Sequence, residues 1–441
     1  MKYKYILLAA LGTVLPCASV SFAQTQQSVK PLKPETDMSH DGWYAEYNAA
    51  KAKALATGED MLIDFGGSDW CAPCRQLKEK VFTQKAFNAL AQKEFICVDI
   101  DDLRRGLSPE RKARYRALQK QFQVGSFPSV ILTTPEGQAY GWATYSDSTN
   151  TPETFWTGIQ PLIERGKLFR DALAKASTLT GQAKAEAMVS GMKEIRADLL
   201  WRFHASKIAE LRKLDPSDSS KFLAYLDARE GVDEMENNLA QDYKLNTKMT
   251  TADVDNLIAK YHLQGEMLQQ AFIMKAVIET SINRDPYSAL ECFGKVVEEE
   301  GHLSPYDQHG YLPMTPDALD TIQKSVALGI ADKSDKVAQF HALHRIFEFE
   351  LPDRYQTSCH GDGLTTFRPG VVTRESIAGG FANAVLEQTS NLSEEERKAA
   401  VQKALVGTRF LSVPSFKKVT EIVPDYFENA YHNFSEGYTL K

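Results

Sequence analysis

What this sequence most plainly lacks is a basic excess. Of its 441 residues, 51 are lysine or arginine and 58 are aspartate or glutamate, a formal net charge of −7. Phosphate contacts supply most nucleic-acid binding energy, so this balance argues against nucleic acid as a partner. The run Arg104, Arg105, Arg111, Lys112, Arg114 and Arg116 is interleaved with Asp101, Asp102 and Glu110, and it reads as a solvated helix face. Long hydrophobic runs are missing too. Beyond the first residues no stretch approaches the roughly twenty apolar residues a membrane span needs. Cysteine is scarce, six in all, and only Cys71 and Cys74 are close together. Without a second such pair, a four-ligand zinc site has too few donors, and no metal is expected. With 43% hydrophobic and 25% charged residues, the composition is that of a globular protein too long for one ordinary core.

What is present begins with a three-part leader: Lys2 and Lys4, an apolar run from Tyr5 to about Leu15, then Ser21-Phe22-Ala23. That is the form of a secretory signal cleaved after Ala23, so residues 1–23 are assigned to a signal peptide. Its loss takes the formal charge from −7 to −9 by removing Lys2 and Lys4. Acylation at Cys17 is the alternative, which Pro16 disfavours. Five cysteines remain in the exported chain: Cys71, Cys74, Cys97, Cys292 and Cys359. Disulfides persist outside the cytosol, and an odd number leaves at least one free thiol or an intermolecular bond.

Residues 24–40 are polar and read as a flexible leader. From Asp41 the spacing of Trp43, Tyr44, Tyr47 and Ala54 predicts a helix ending at Gly58, and Met61 to Phe65 a buried strand. A helix follows the cysteines through Leu77 and Val81. Thr83 is read as the cap of a continuation carrying Phe87 and Leu90. Phe95 to Ile100 is a second strand. Ser108-Pro109 opens a helix that turns Tyr115, Leu118 and Phe122 inward, and Thr151-Pro152 opens another through Phe155, Trp156, Ile159 and Leu162. Between them, Ser129 to Leu132 and Tyr140 to Ala143 form a hairpin across Pro135-Glu136-Gly137. From about Gly166 the chain reads as helical. Its clearest runs are 197–214, 263–282, 289–300, 316–329, 333–349 and 394–405, with a polar loop at 354–370. A tetratricopeptide-like array and a non-repetitive bundle both fit.

A strand, a short loop and a helix beginning at Cys71-Ala72-Pro73-Cys74 put both sulfurs in the first helical turn. Unpaired amide hydrogens and the helix dipole there stabilise a thiolate. Two intervening residues let the second sulfur reach the first. Cys71 is therefore expected to be an exposed nucleophile and Cys74 the resolving thiol. The competing reading, half of a zinc site, lacks its other ligands.

Over about Trp43 to Gly166 the sequence resembles the thioredoxin superfamily, and its exported bacterial members in particular. The residues carrying this are Leu62-Ile63-Asp64-Phe65, Trp70-Cys71-Ala72-Pro73-Cys74, Val98-Asp99-Ile100-Asp101 and Val124-Gly125-Ser126-Phe127-Pro128-Ser129. The resemblance implies an α/β thioredoxin fold at 41–166, a central mixed sheet flanked by helices; the helical pattern beyond it is read as an all-α domain at 167–441. It implies a periplasmic thiol–disulfide oxidoreductase whose redox-active disulfide needs no further cofactor. Pro128 is then a cis-proline, Asp64 the buried acid that assists deprotonation of Cys74, and Trp70, Ala72, Pro73 and Phe127 contact substrate. Proline before the second cysteine, where oxidants and isomerases carry histidine, points to the reducing end of the potential scale. Implied partners are disulfide-containing proteins and a membrane-linked electron donor, with self-association through the helical domain. The rivals are a scaffold with an accessory redox domain and a disulfide isomerase.

Cys97 reads as a small buried hydrophobe. Cys359-His360, His302 and His309 read as ordinary loop residues, and Cys292 with Cys359 as a pairing the sequence leaves open. Trp201, Phe203, Met267, Phe272 and Met274 recur at helical spacing and read as core.

Overall fold

The computed structural model describes residues 39–143, 145–245, 249–299, 306, 314–347 and 369–405. The signal-peptide residues Lys2, Lys4 and Ala23, Cys17 and the leader up to residue 38 lie outside the described residues, as do His302, His309, Cys359 and His360.

Four strands, β1 (Asp60–Gly66), β2 (Phe95–Asp101), β3 (Ser129–Thr133) and β4 (Ala139–Ala143), form one sheet in the order β2-β1-β3-β4. β1 runs parallel to β2 and antiparallel to β3, and β3 and β4 form the expected hairpin. β1 is buried at every position, which is why it reads as a continuous apolar run and not as an alternation. Helix α1 (Tyr47–Thr57) precedes it. Between the strands lie α2 (Ala72–Leu77), continued by a π-helical turn at Lys78–Phe82, then α3 (Lys85–Glu94) and α4 (Pro109–Gln121). The Ser108 hydroxyl accepts from the Arg111 amide with Pro109 in the first turn, as the capping chemistry requires. At α3 the cap position belongs to Gln84 and not Thr83, whose hydroxyl bonds back to the Glu79 carbonyl.

Trp43 and Tyr44 are not helical. Tyr44 lies beside β2, its N–H donating to the Cys97 carbonyl at 2.9 Å and its carbonyl accepting from the Asp99 N–H at 2.8 Å. Trp43 is buried, its indole N–H bonded to Asn88 Oδ1 at 2.7 Å. The unpaired edge of β2 offers backbone partners that a helix there would forgo, and they outweigh the apolar spacing.

Helix α5 (Pro152–Ser177) runs unbroken through residue 166. It is followed by α6 (Gly181–Met192), α7 (Ala197–Phe203), α8 (Ala205–Leu214) and α9 (Phe222–Leu245). The run expected as one helix at 197–214 is broken at His204, whose fully buried imidazole turns inward. One apolar core extends from Trp43 to Leu226, and a second begins at Ala228 within α9. The second core gathers α10 (Thr251–Tyr261), α11 (Gly265–Ile278), α12 (Pro286–Glu298), α13 (Pro316–Ile330), α14 (Lys336–Arg345), α15 (Pro369–Gln388) and α16 (Glu394–Leu405). From α11 to α15 each helix packs on the next in sequence. Of the polar stretch expected at 354–370, residues up to 368 lie outside the described residues and Pro369 begins α15.

β4 is the edge strand opposite β2, and α7 lies against it. The Arg202 guanidinium covers the Trp142 ring at 5.1 Å and donates to the Phe122 carbonyl at 3.0 Å. His204 Nε2 meets the Ala139 carbonyl at 2.8 Å, and its ring stands edge-on to Phe169 of α5 at 4.8 Å.

Candidate active site

β1 delivers the chain to Gly66-Gly67-Ser68-Asp69-Trp70, a turn that only glycine at 67 permits, because a Cβ there would lie 2.3 Å from the Trp70 indole. Cys71 follows as the N-cap of α2, its Sγ accepting the Cys74 N–H at 3.2 Å. The two cysteines form a disulfide, with Cα atoms 5.3 Å apart. The expected contrast in exposure is absent in this oxidised form: Cys71 is 6% exposed and Cys74 4%. The bond turns Cys71 Sγ back over its own helix, and the intervening Ala72 and Pro73 are the exposed part of the motif.

The loop after β2 braces this turn. The Trp70 indole N–H donates to the Asp102 carbonyl at 2.8 Å, and Asp69 accepts the backbone N–H groups of Arg104 and Arg105 at 3.0 and 3.1 Å. The Ser68 amide and hydroxyl both bond to Asp101. Trp70 meets Phe127 edge-to-face at 5.3 Å, so the loop carrying Phe127 and Pro128 is brought against the loop carrying the cysteines. The Phe127-Pro128 peptide bond is cis. Pro128 is buried and Phe127 half-buried.

Beneath the disulfide lies a group of acids. Gly66 lies between Asp64 and Cys74: a Cβ on it would be 3.6 Å from Asp64 Oδ2 and 3.7 Å from Cys74 Cβ. The parallel register sets Asp64 opposite Asp99, so both side chains leave the sheet on the same face, as does Asp101 two residues on. Asp64 is buried, with Oδ1 lacking a hydrogen-bond partner. Burial, with the Asp99 charge beside it, holds its carboxyl well above the usual carboxylate range. Lys78 Nζ bridges Asp99 at 2.8 Å and Asp101 at 2.9 Å. Burial works against the Lys78 ammonium, but the two carboxylates outweigh it and raise its pKa. Asp101 is likewise opposed by burial, yet hydrogen bonds from Ser68 and Lys78 keep its carboxyl below the ordinary range. Asp99 also accepts from the Ser39 hydroxyl and faces His40 Nε2 at 3.6 Å. Burial lowers the His40 pKa, with Asp99 pulling the other way.

Two carboxylates, Asp99 and Asp101, therefore share one ammonium, and the Asp64 carboxyl lies beside them without a direct bond to it. Sequence reasoning singled out Asp64 but assigned no role to Lys78, Asp99, Asp101 or His40. Lys78 had a signal: it stands four residues after Cys74, on the same helix face. Asp99 and Asp101 alternate on a buried strand, but their meeting with Asp64 depends on register. Cys97 is buried two register pairs along, opposite Leu62, and burial raises its thiol pKa. Cys292 is a half-buried free thiol packed against the second core, its pKa pushed up to about 11 by burial.

Residues 42–135 match a family model described as thioredoxin-like. Over 140 residues the chain is 24% identical to the thioredoxin-related protein DsbJ of Chlamydia pneumoniae, covering 31% of this chain and 40% of that protein. The chain thus spans less than half the length of that curated relative. A solved structure titled DsbH Oxidoreductase aligns over 29% of this chain and 87% of its own, with 18% identity and a TM-score of 0.27. The family match falls on the segment that holds β1 to β3, the disulfide at the head of α2 and the cis-proline loop, so the N-terminal part of this chain is thioredoxin-like in sequence and fold and continues into a C-terminal α-helical extension.

Proposed function

We propose that this chain is an exported thiol–disulfide oxidoreductase that works as a disulfide reductase. The observation that carries the reading is the Cys71–Cys74 disulfide at the first turn of α2, with the adjoining Trp70 ring packed edge-to-face on Phe127 of the cis-proline loop. In the reduced protein the Cys71 thiolate attacks one sulfur of a substrate disulfide. A mixed disulfide forms, and the first substrate sulfur leaves as a thiolate. Cys74 then loses its proton to the Asp64 carboxylate and attacks Cys71 Sγ, which restores the internal disulfide and releases the second substrate thiolate. The substrate gains two electrons and, on reprotonation, two thiol protons. Return of the protein to its dithiol form needs a thiol-based reductant, here a membrane-linked donor. Asp64 suits the base role because a proton affinity raised by burial lets a carboxylate accept a proton near neutral pH.

The reducing direction rests on Pro73. No imidazole precedes Cys74 to hold the Cys71 thiolate, so the dithiol is not strongly favoured over the disulfide. The helical extension positions substrate or joins copies of the chain. Two measurements test the proposal: the reduction potential of the Cys71 and Cys74 couple, and turnover of insulin with Cys71→Ser as control. A potential nearer about −270 mV than about −120 mV is expected. The strongly oxidising value would overturn the direction, and insulin reduction that survives Cys71→Ser would overturn the oxidoreductase reading.

A further inference from the structure

In the two loops that flank the disulfide, the acids are turned to internal partners and the arginines to solvent. Asp101 is held by Lys78 and Ser68, and the Asp102 carboxylate accepts from Gln119. Asp69 is exposed, but each of its oxygens accepts a backbone N–H, from Arg104 and Arg105. Arg75, Arg104 and Arg105 are all exposed, and no carboxylate among the described residues pairs with any of them. Two of these cations are held beside the cysteines. The Arg104 guanidinium lies 5.2 Å over the Trp70 ring, and Arg75 Nη1 donates to the Ser68 carbonyl at 3.1 Å. The third loop of the site, from Gln123 to Ser129, carries no charged residue. A rim of this sign is the reverse of the −7 carried by the whole chain.

We infer that the site selects polypeptide disulfides flanked by acidic residues, which Arg75, Arg104 and Arg105 receive while the scissile bond meets Cys71. The inference rests on the reductase reading and adds a substrate class to it. Charges farther away than about 8–10 Å are largely screened at physiological ionic strength. The local arginines therefore govern the final approach and the distant negative charge does not. Guanidinium groups match carboxylates with paired hydrogen bonds, and exposed pairs of this kind act mainly on the rate of encounter and on the choice of partner.

The test uses the full chain in its dithiol form and three peptides of equal length, each closed by one disulfide and flanked by glutamates, glutamines or lysines. A single turnover oxidises Cys71 and Cys74 to their disulfide and reduces the peptide to its dithiol, so no electron donor is needed. Acid quenching and chromatography give the second-order rate. The glutamate peptide is expected to react roughly tenfold faster than the glutamine peptide at low salt, with the ratio shrinking as salt rises. In Arg104→Gln/Arg105→Gln, and separately in Arg75→Gln, that ratio falls by about half or more. Taking the ratio within each variant cancels any general change in activity. Equal rates for the glutamate and glutamine peptides, a preference untouched by salt, or fastest reduction of the lysine peptide would each overturn the inference and leave the reductase reading standing. Failure to reduce any of the three would overturn the reductase reading itself.

Discussion

Replacing His204 with glutamine is expected to remove a large part of the protein's sensitivity to acid. The imidazole is fully buried between β4, α5 and the α7–α8 break, with Nε2 on the Ala139 carbonyl and Nδ1 without a partner. Burial lowers its pKa from 6.5 to about 4, because the charged form has no counter-ion there. In the unfolded chain the same group takes up its proton near pH 6.5. Between those two values the unfolded state binds a proton that the folded state refuses, so stability falls as the pH drops below about 6.5 and the loss is complete near 4. At about 1.4 kcal/mol per pH unit across that interval, the loss amounts to about 3 kcal/mol. Urea unfolding followed by tryptophan fluorescence between pH 7 and pH 4 measures it, since Trp43 and Trp142 both lie in the first core. The glutamine variant is expected to be less stable at pH 7 by about 1 kcal/mol and to lose less on acidification. Parallel pH profiles for the two proteins, or a His204 resonance titrating near pH 6.5, would refute the argument.

Three further outcomes are expected at the site. Asp64→Asn raises the denaturation midpoint at neutral pH, since the folded state no longer holds a buried carboxylate of raised proton affinity. In the wild type the unfolded chain releases that proton first, so stability falls as pH climbs through the window above the ordinary carboxylate range, and the variant lacks that fall. The same variant prolongs the mixed disulfide, which mass spectrometry after acid quenching detects. Lys78→Met leaves Asp99 and Asp101 without their ammonium and destabilises the protein by about 3 kcal/mol; a second change, Asp99→Asn, recovers part of the loss in the same urea assay. Gly67→Ala forces the Trp70 ring away from the Asp102 carbonyl and from Phe127. It costs about 1–3 kcal/mol and shifts the tryptophan emission, and an unchanged spectrum would contradict the packing described here.

Local chemistry was mostly readable where it is decided within a few residues, the cap of α3 excepted. Ser108-Pro109 and Thr151-Pro152 cap the helices they announce, and the β3–β4 turn falls at Pro135-Glu136-Gly137. The cysteine pair was placed at a helix start because a strand, two glycines and a proline enclose it. Features set by distant partners were not readable. Trp43 and Tyr44 have helical spacing, but the open edge of β2 claims their backbone. Asp64, Asp99 and Asp101 are ordinary strand acids until register aligns them. Helix α6 escaped notice because it packs through small residues: a Cβ on Gly191 would lie 2.8 Å from that of Ala172, so close approach replaces a stripe of large side chains. Helix α9 passes from one core to the next between Leu226 and Ala228, so its apolar residues up to 239 are divided between the two cores.

The seam between α7 and β4 means that the redox unit borrows its outer wall from the segment downstream. A chain ended at 166 would uncover the Trp142 indole and free the Ala139 carbonyl from His204, offering a naked ribbon for another chain to zip onto. Selection on residues near 200 is therefore selection on the solubility of the cysteine-bearing part, however remote they are from its sulfurs.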